Sequence, residues 1–506
     1  MTDPADLVLT NAEVHSLAEP DEVHEALAIR DGRIVRVDSA YEVEFLSGVG
    51  TEVIDCEGRV VLPGFVDAHT HMETLGRYLV YADLSGASDA EECLARFDSG
   101  EEGEWLLGFG YDESGWPGGE YLTREELDRV STDRPVCAFR EDMHVASLNS
   151  VAIERHVGEM PDEDVELGDG TPTGVIVEEA VDVIYEAVAP GPEETRELLV
   201  AAQERANELG VTAVHDMVRD SHAPRVYREL DLADELTLRV RINYWSDHLD
   251  AVREAGLSTN HGSEFVRTGA IKTYTDGSFG GRTAKLSEPY SDGEGTGQWV
   301  VGPEQLGVLA EEADGAGFQL AAHAIGDEAI DACLDAFEGC ATPGERRHRV
   351  EHVELASDEA IGRFAGSEIV ASVQPNFLKW ARPEGLYDAR LGAERREATN
   401  RYKELLDAGA PLAFGSDCMP LDPLFGVHQA VTAPAEGQRL SVTEALRAYT
   451  SGGAYAGFDE DRMGTVETGK LADLVVLDES PWEVDSIDEV EVALTLVDGE
   501  VVYDGR

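Results

Sequence analysis

The stretch Pro63-Gly64-Phe65-Val66-Asp67-Ala68-His69-Thr70-His71 decides how the rest of the chain is interpreted. It is short and apolar and begins at a Pro-Gly turn, which is typical of a buried strand. Because side chains alternate along a strand, Asp67, His69 and His71 share one face. Two neutral imidazoles on one face can bind a divalent metal ion such as zinc. The same pattern also fits two polar residues at the end of a barrel strand, so the rest of the chain must decide between the two interpretations.

Length and charge limit the class of protein. The chain has 506 residues, which exceeds the roughly 250–300 at which one core stops growing, so we expect one large domain and a smaller one. It carries 103 acidic and 39 basic residues and a formal net charge of −64. Phosphate backbones need a basic surface, so nucleic acid is excluded as a partner. An acidic surface is typical of a salt-adapted, halophilic protein, because a Debye length of about 3 Å at 1 M screens self-repulsion. An ordinary acidic protein in dilute cytosol is the alternative.

The cysteines and the apolar runs indicate the compartment. The six cysteines are scattered and form no C-x-x-C motif, which suits a reducing cytoplasm better than a disulfide framework. The first residues lack a basic start and an apolar run, so we expect no secretory signal. No stretch reaches the ~18 apolar residues of a membrane span. We therefore expect a cytoplasmic protein with a small-molecule substrate and no membrane partner; a homodimer is left open.

The order of strand and helix patterns predicts the fold. Helical and strand patterns alternate from residue 193 to residue 450, which predicts the α/β class and a (β/α)8 TIM barrel. Residues 84–192 break this alternation and are predicted to form an insertion in the barrel domain, 63–450. Both chain ends, 1–62 and 451–506, are rich in strands, with hairpin signals at Asp31-Gly32 and Asp498-Gly499. We expect them to join in one small composite β-sandwich domain.

Four more polar residues stand at or just after the C-terminal ends of predicted barrel strands: Lys272, His323, His352 and Asp417. This end of a TIM barrel is where active sites are built. Each residue alone has a structural explanation, such as a lysine paired with a carboxylate or an aspartate that caps a helix. Together with His69 and His71, however, they form the donor set of a hydrolase with one or two metal ions.

Several segments carry a resemblance to a known family, and they run through nearly the whole chain in order: Leu62–His71, Lys272 with Thr275–Ala284, His323–Asp327, Glu351-His352, Gly415–Asp417 and Gly469–Leu474. On these segments the chain resembles the amidohydrolase superfamily and, within it, the YtcJ-like branch that includes N-substituted formamide deformylases. The resemblance implies a metal-bearing TIM barrel with a composite β-sandwich. It also implies that Arg140, His144 and Asn149 belong to the characteristic insertion of this branch.

The resemblance and the donor chemistry agree on roles for the six residues. One ion, zinc or another divalent metal, would be held by His69, His71 and Asp417; a second would be held by His323 and His352, with a carboxylated Lys272 bridging both. A metal-activated hydroxide would attack the substrate, and Asp417 would carry the proton to the leaving nitrogen. In a one-metal version, His323 joins the first set of ligands and His352 orients the substrate. Asp417 and His352 are therefore the expected catalytic residues.

Five further residues are candidates for substrate binding: Arg140, His144, Glu178, Arg282 and Gln374. Arg140, His144 and Glu178 fall in the predicted insertion, and the other two lie near strand ends. Either arginine can hold a carboxylate or a carbonyl oxygen. In the alternative interpretation, Arg140 and Glu178 form an ion pair that serves only the structure.

The predicted function is a metal-dependent hydrolysis of a non-peptide C–N bond, in a substrate of the N-substituted amide or formamide type. A deaminase of a heterocyclic amine, which uses the same barrel and usually one metal ion, is the second hypothesis. A non-catalytic scaffold with the amidohydrolase fold is the third. Such a scaffold should lack ligands, whereas all six positions carry donors in this chain.

Overall fold

The computed structural model describes residues 3–97, 103–116, 118–141 and 144–506. The chain forms two compact units. The barrel unit consists of Met1–His71, Gln203–Asp220 and Tyr227–Arg506, and the insertion unit consists of Met72–Ala202 and Ser221–Val226. The predicted insertion, about 84–192, falls within the insertion unit; its residues 98–102, 117, 142 and 143 lie outside the described residues.

A sheet of eight parallel strands forms the centre of the described part of the barrel unit, and each strand pairs with the next along the chain. Nearly every residue of these strands is buried, as expected for a sheet covered on both faces. The predicted barrel is thereby confirmed. Its strands are β1 (Phe65–Thr70), β2 (Val211–Val218), β3 (Arg239–Trp245), β4 (Val266–Tyr274), β5 (Leu320–Ala324), β6 (Arg349–His352), β7 (Val370–Val373) and β8 (Leu412–Phe414).

The first and last strands approach each other through contacts just beyond β8. The backbone N–H of Asp417 donates to the carbonyl oxygen of His69 at 2.7 Å. The Asp67 carboxylate accepts hydrogen bonds from the N–H of Ser416 at 3.0 Å and of His69 at 3.1 Å. Glycine is required at position 415, because a Cβ atom there would lie 2.4 Å from the backbone nitrogen of His69. These contacts bring the end of β8 directly beside His69 and His71, the two histidines of the motif His69-Thr70-His71 (H-x-H).

Helices connect the strands and follow them. Their first turns carry ordinary caps: Ser441, for example, exchanges hydrogen bonds with Glu444 in a capping box. The helices of this part of the chain are Pro192–Glu208, Ala223–Leu232, Leu249–Glu254, Pro303–Gly315, Asp327–Glu338, Pro343–Arg346, Asp358–Ala365, Leu386–Leu391, Ala393–Glu397, Tyr402–Ala408, Pro423–Val431, Val442–Arg447 and Gly453–Ala456.

Strands from both chain ends meet in the barrel unit, as the sequence predicts. Val60–Pro63 pairs antiparallel with Leu474–Leu477, so one sheet contains segments from both ends. The strands of this sheet, in spatial order, are Glu500–Asp504, Val492–Val497, Leu474–Leu477, Val60–Pro63, Glu13–His15 and Val23–His24. A second sheet has the order Arg33–Asp38, Ala26–Arg30, Leu7–Thr10 and Glu52–Asp55, and buried residues of both sheets form one apolar cluster.

The insertion unit has a sheet and an apolar core of its own. The strands of this sheet, in spatial order, are Val165–Gly168, Thr171–Val177, Val145–Leu148, Val136–Arg140, Leu106–Tyr111 and Ala82–Asp83. Its helices are Met72–Val80, Ala90–Ala95, Arg124–Leu127, Ser150–His156 and Glu179–Ala187. In its core the ring of Phe139 stacks on those of Phe109 and Tyr185, with 4.8 Å between the ring centroids in both contacts.

None of the described helices combines the length and the apolar character that a membrane crossing needs.

Candidate metal centre

The two histidines of the H-x-H motif aim the same ring atom at one carboxylate. His69 is buried, and its Nδ1 donates to the Glu351 carboxylate at 2.6 Å. The Nδ1 of His71 donates to the carbonyl oxygen of Met217 at 3.1 Å. Both rings therefore keep Nε2 available, and these atoms lie 3.6 Å and 3.2 Å from Oδ1 of Asp417. Nitrogen and oxygen donors from two distant segments thus converge on one point.

His352 reaches this point because the backbone of β6 departs from regular alternation. Glu351 and His352 are neighbours and would face opposite sides of a regular strand. His352, however, has a φ of +75°, and its ring comes to 4.9 Å from the ring of His69 and 4.4 Å from that of His323, measured between centroids. Candidate ligand atoms of His69, His352 and Asp417 all lie within 4.8 Å of one another.

Buried polar atoms without partners mark the same place. Within the described residues, neither Nζ of Lys272 nor Nδ1 of His352 has a hydrogen-bond partner, although both atoms are buried. The Nε2 of His323 donates to the carbonyl oxygen of Gly277 at 2.9 Å, which leaves its Nδ1 for another ligand. A buried polar group that lacks a partner is costly, so a bound ion would explain these orphaned atoms.

Burial keeps three histidines of the cluster neutral. It lowers the pKa of His323 to about 3, with the charge of Lys272 adding to the effect, and it holds the pKa of His69 and of His352 well below the ordinary value. Burial also lowers the pKa of the fourth histidine, His71, but the carboxylates of Asp417 and Asp216 outweigh it and raise this pKa above the ordinary value. Burial opposes ionisation of Asp417, but the contact with His71 and the charges of His69, His71 and Lys272 together outweigh it and lower the pKa of this carboxyl. For His69, His323, His352 and Asp417, these pKa shifts favour the neutral imidazole and the ionised carboxylate that metal ligation requires.

The donor set therefore fits a divalent metal ion. Imidazole nitrogens and a carboxylate oxygen suit zinc, and the lysine is buried beside them. Burial lowers the pKa of Lys272 to about 8, so its amine is less strongly protonated than an exposed lysine. The structure brings His69, His71, His323, His352 and Asp417 together by direct contacts, and the charge of Lys272 acts on His69 and His323.

Comparison with known proteins agrees with this geometry. The model of the amidohydrolase family matches residues 52–503. The chain belongs to the amidohydrolase family. It is similar to the putative amidohydrolase YtcJ of Bacillus subtilis, with 31% identity over 97% of this chain and 98% of that protein. It is also similar to the N-substituted formamide deformylase of Arthrobacter pascens, with 27% identity over 100% of this chain and 99% of that protein.

A solved structure matches as well. The crystal structure of an uncharacterized metal-dependent hydrolase from Pyrococcus furiosus has 31% sequence identity and a TM-score of 0.83, and the match covers 94% of this chain and 100% of that one. The resemblance to the amidohydrolase superfamily that was inferred from the sequence is thereby confirmed.

A buried charge network in this amidohydrolase holds the first histidine in place. Arg349 is 1% exposed and donates to the Glu351 carboxylate at 2.7 Å and to Oγ of Ser372 at 2.9 Å. Arg349 then lowers the pKa of Glu351 although burial opposes ionisation. The charged Glu351 fixes the proton of His69 on Nδ1, so Nε2 keeps its lone pair. The sequence analysis did not predict that Glu351 orients His69. The available signal was the pair of opposite charges, Arg349 and Glu351, two residues apart in one buried strand.

Two of the predicted substrate-binding residues, Gln374 and Arg282, differ in whether their side chains already have a partner in the barrel unit. Gln374 directly follows β7 and is 1% exposed, and both polar atoms of its side-chain amide lack partners among the described residues. Arg282 is half exposed and forms a two-pronged ion pair with Asp292, at 3.0 Å and 2.8 Å. The amide of Gln374 is thus available to a ligand, whereas the guanidinium of Arg282 already binds a carboxylate.

The remaining three candidates belong to the insertion unit. Arg140 donates to Glu113 at 2.8 Å and to Asp112 at 3.0 Å. The Nδ1 of His144 lies 3.2 Å from the carboxylate of Glu178, and both side chains are largely exposed. These contacts tie the predicted residues into ion pairs of the insertion unit, and their binding of substrate stays a prediction.

Proposed function

We propose that this amidohydrolase cleaves a non-peptide C–N bond in a small N-substituted amide or formamide. The observation that carries the proposal is the convergence of the Nε2 atoms of His69 and His71 on the Asp417 carboxylate, beside buried histidines and a buried lysine. The similarity to an N-substituted formamide deformylase supports the bond type. Among the described residues, no contact in the site favours a heterocyclic amine over an amide.

The six residues would divide between two metal sites. His69, His71 and Asp417 would hold one zinc ion, and His323 and His352 would hold a second. Lys272 would bridge them as a carbamate, which forms when its unpartnered Nζ adds carbon dioxide and releases a proton. When bound, such an ion lowers the pKa of a coordinated water to about 7 and supplies the nucleophile at neutral pH.

The residues of the chain would supply orientation and proton transfer. Asp417 is ionised and close to both Nε2 atoms, so it would accept the proton of the attacking water. As the C–N bond breaks, Asp417 would pass this proton to the leaving nitrogen, which departs as a neutral amine. The free amide of Gln374 would hold the acyl part of the substrate by hydrogen bonds. Glu351 would keep His69 in its ligating tautomer.

The proposal is tested with a matched panel of substrates. Purified protein is loaded with zinc and assayed for amine release from N-substituted formamides and amides, and for ammonia release from purines and pyrimidines. We expect turnover only in the first group. Asp417→Asn should lower kcat by a factor of about 10²–10⁴, the usual contribution of general acid–base catalysis, while the circular dichroism spectrum stays unchanged. Asp407→Asn, on an exposed helix end, is the matched control. Ammonia release without amide cleavage would overturn the assignment.

A further inference from the structure

The end of β2 places an arginine at the mouth of the barrel. Side chains alternate along this strand, and His215 and Met217 both contact inward-facing groups: His215 bonds to the buried Arg349, and the sulfur of Met217 accepts from Asn243. Arg219 lies two residues beyond Met217, so alternation directs it to the same side. It therefore belongs to the layer of side chains nearest the end where the metal ligands lie.

A chain of ring contacts leads from this arginine to the candidate metal centre. The guanidinium carbon of Arg219 lies 5.1 Å from the ring centroid of Trp245. Trp245 pairs in register with Lys272, and its ring is 4.9 Å from that of Tyr274. The ring of Tyr274 in turn is 4.7 Å from that of His323. Trp245 and Tyr274 thus form an aromatic wall between the arginine and the donor cluster.

The guanidinium of Arg219 is held only loosely by the described carboxylates around it. The nearest of them, those of Asp220 and Asp247, lie 3.9 Å and 3.8 Å away, which is beyond hydrogen-bond distance, and the side chain of Arg219 is 56% exposed. Arg282, by contrast, is held by Asp292 through two hydrogen bonds. Arg219 is therefore better placed than Arg282 to offer its planar pair of donors to a ligand.

We propose that Arg219 binds a carboxylate of the substrate, while the wall of Trp245 and Tyr274 packs against the part of the molecule between the carboxylate and the scissile bond. This inference rests on the proposed C–N hydrolysis and narrows its substrate class to amides that carry a carboxylate, such as N-formyl amino acids. The two aspartates near Arg219 hold it only weakly, so an incoming carboxylate can replace them with shorter, charge-assisted bonds.

A matched pair of substrates tests the assignment in the zinc-loaded enzyme. N-formyl-phenylalanine and N-formyl-phenylalaninamide have nearly the same shape, but only the first carries a carboxylate. Arg219→Gln should lower kcat/KM for the anionic substrate by about 10- to 100-fold, the range for a charge-assisted hydrogen bond, and leave the neutral substrate within about threefold. For Arg219→Lys we expect an intermediate kcat/KM, because lysine keeps the positive charge but lacks the two parallel N–H donors of the guanidinium. Arg253→Gln, an exposed arginine at similar distance from a carboxylate, should change neither.

A binding measurement makes the test independent of turnover. 3-Phenylpropionate and 3-phenylpropan-1-ol are titrated calorimetrically into the wild-type protein, Arg219→Gln and Arg253→Gln at about 1 M salt, where screening removes the general repulsion of anions by the acidic chain. We expect the propionate to bind the wild type and the control alike and Arg219→Gln about 10- to 100-fold more weakly. Equal binding by all three proteins, or no binding by the wild type, overturns the inference. Hydrolysis of the neutral amide alone would leave the proposed function standing and remove the carboxylate subsite.

Discussion

Replacing Glu351 by glutamine should weaken metal binding although Glu351 is not itself a proposed ligand. The buried carboxylate accepts from Nδ1 of His69 at 2.6 Å and from Arg349 at 2.7 Å. A glutamine of the same shape can accept from only one of them through its oxygen. If the oxygen turns to Arg349, the NH2 group faces His69 and can bond to Nδ1 only when the ring proton moves to Nε2. The imidazole would then lose the lone pair that should bind the metal.

The structure supports an estimate of the size of this effect. Loss of a carboxylate partner behind a ligating histidine typically costs 10- to 100-fold in metal affinity, or about 1.4–2.8 kcal/mol. The metal-free protein should lose stability as well, because Arg349 is buried and would no longer face a full negative charge. Breaking a buried pair costs about 3–5 kcal/mol, and the hydrogen bonds that glutamine retains favour the lower end of this range.

Competition with a chromophoric zinc chelator measures the affinity, and urea unfolding of the metal-free protein measures the stability. Glu338→Gln is the control: this exposed carboxylate pairs with Arg363, and its loss should cost at most about 1 kcal/mol and leave zinc affinity unchanged. If Glu351→Gln binds zinc as tightly as the wild type, then the tautomer of His69 is not set by Glu351 and the reasoning fails.

Three further predictions concern stability. Gly415→Ala should destabilise the barrel by several kcal/mol in urea unfolding, because the new Cβ would lie 2.4 Å from the backbone nitrogen of His69; an unchanged midpoint would contradict the close approach. Burial opposes ionisation of Asp459, but Arg241 and Arg267 lower its pKa. The ionised carboxylate therefore stabilises the fold above its unfolded pKa of about 3.9, and this stabilisation is lost as the pH falls below that value. Asp459→Asn should flatten this part of a plot of urea midpoint against pH. With 103 acidic residues against 39 basic ones, the melting temperature should rise between about 0.1 M and 1 M potassium chloride, and a flat profile would speak against salt adaptation.

The barrel and the terminal sheets were predictable because their signals are local. Asp31-Gly32 indicates a hairpin, and in the structure both residues have positive φ, 50° and 69°, between the paired strands Ala26–Arg30 and Arg33–Asp38. The alternation of His69 and His71 likewise needs only the period of a strand. Such features depend on a few neighbouring residues, so they can be inferred without knowing which distant segments they meet.

The supporting contacts of the candidate site depend on distant residues and could not be inferred in this way. Glu351 meets His69 across 282 positions of sequence, and no local pattern records that pairing. Arg282 stands in a motif of the family, but the structure shows that Asp292 occupies its guanidinium. Arg219 carries no motif at all; only the position of β2 in the barrel brings it to Trp245. Which polar groups remain free is a property of the assembled fold.

Both the candidate metal centre and the proposed carboxylate subsite follow from one property of the barrel. Regular alternation directs His69 on β1 to the inner side of the barrel, and by the same argument it directs Arg219, the residue that follows the neighbouring strand β2, to that side. His352, with its φ of +75°, departs from this alternation and turns its ring toward the centre, whereas in a regular β6 the ring would face away. Its neighbour Glu351 also faces the centre, where it accepts the hydrogen bond from His69. Positive φ in a residue with a side chain is strained and persists only where surrounding contacts enforce it. The strain at His352 therefore allows a single strand to supply both a proposed metal ligand, His352, and the group that orients another, Glu351.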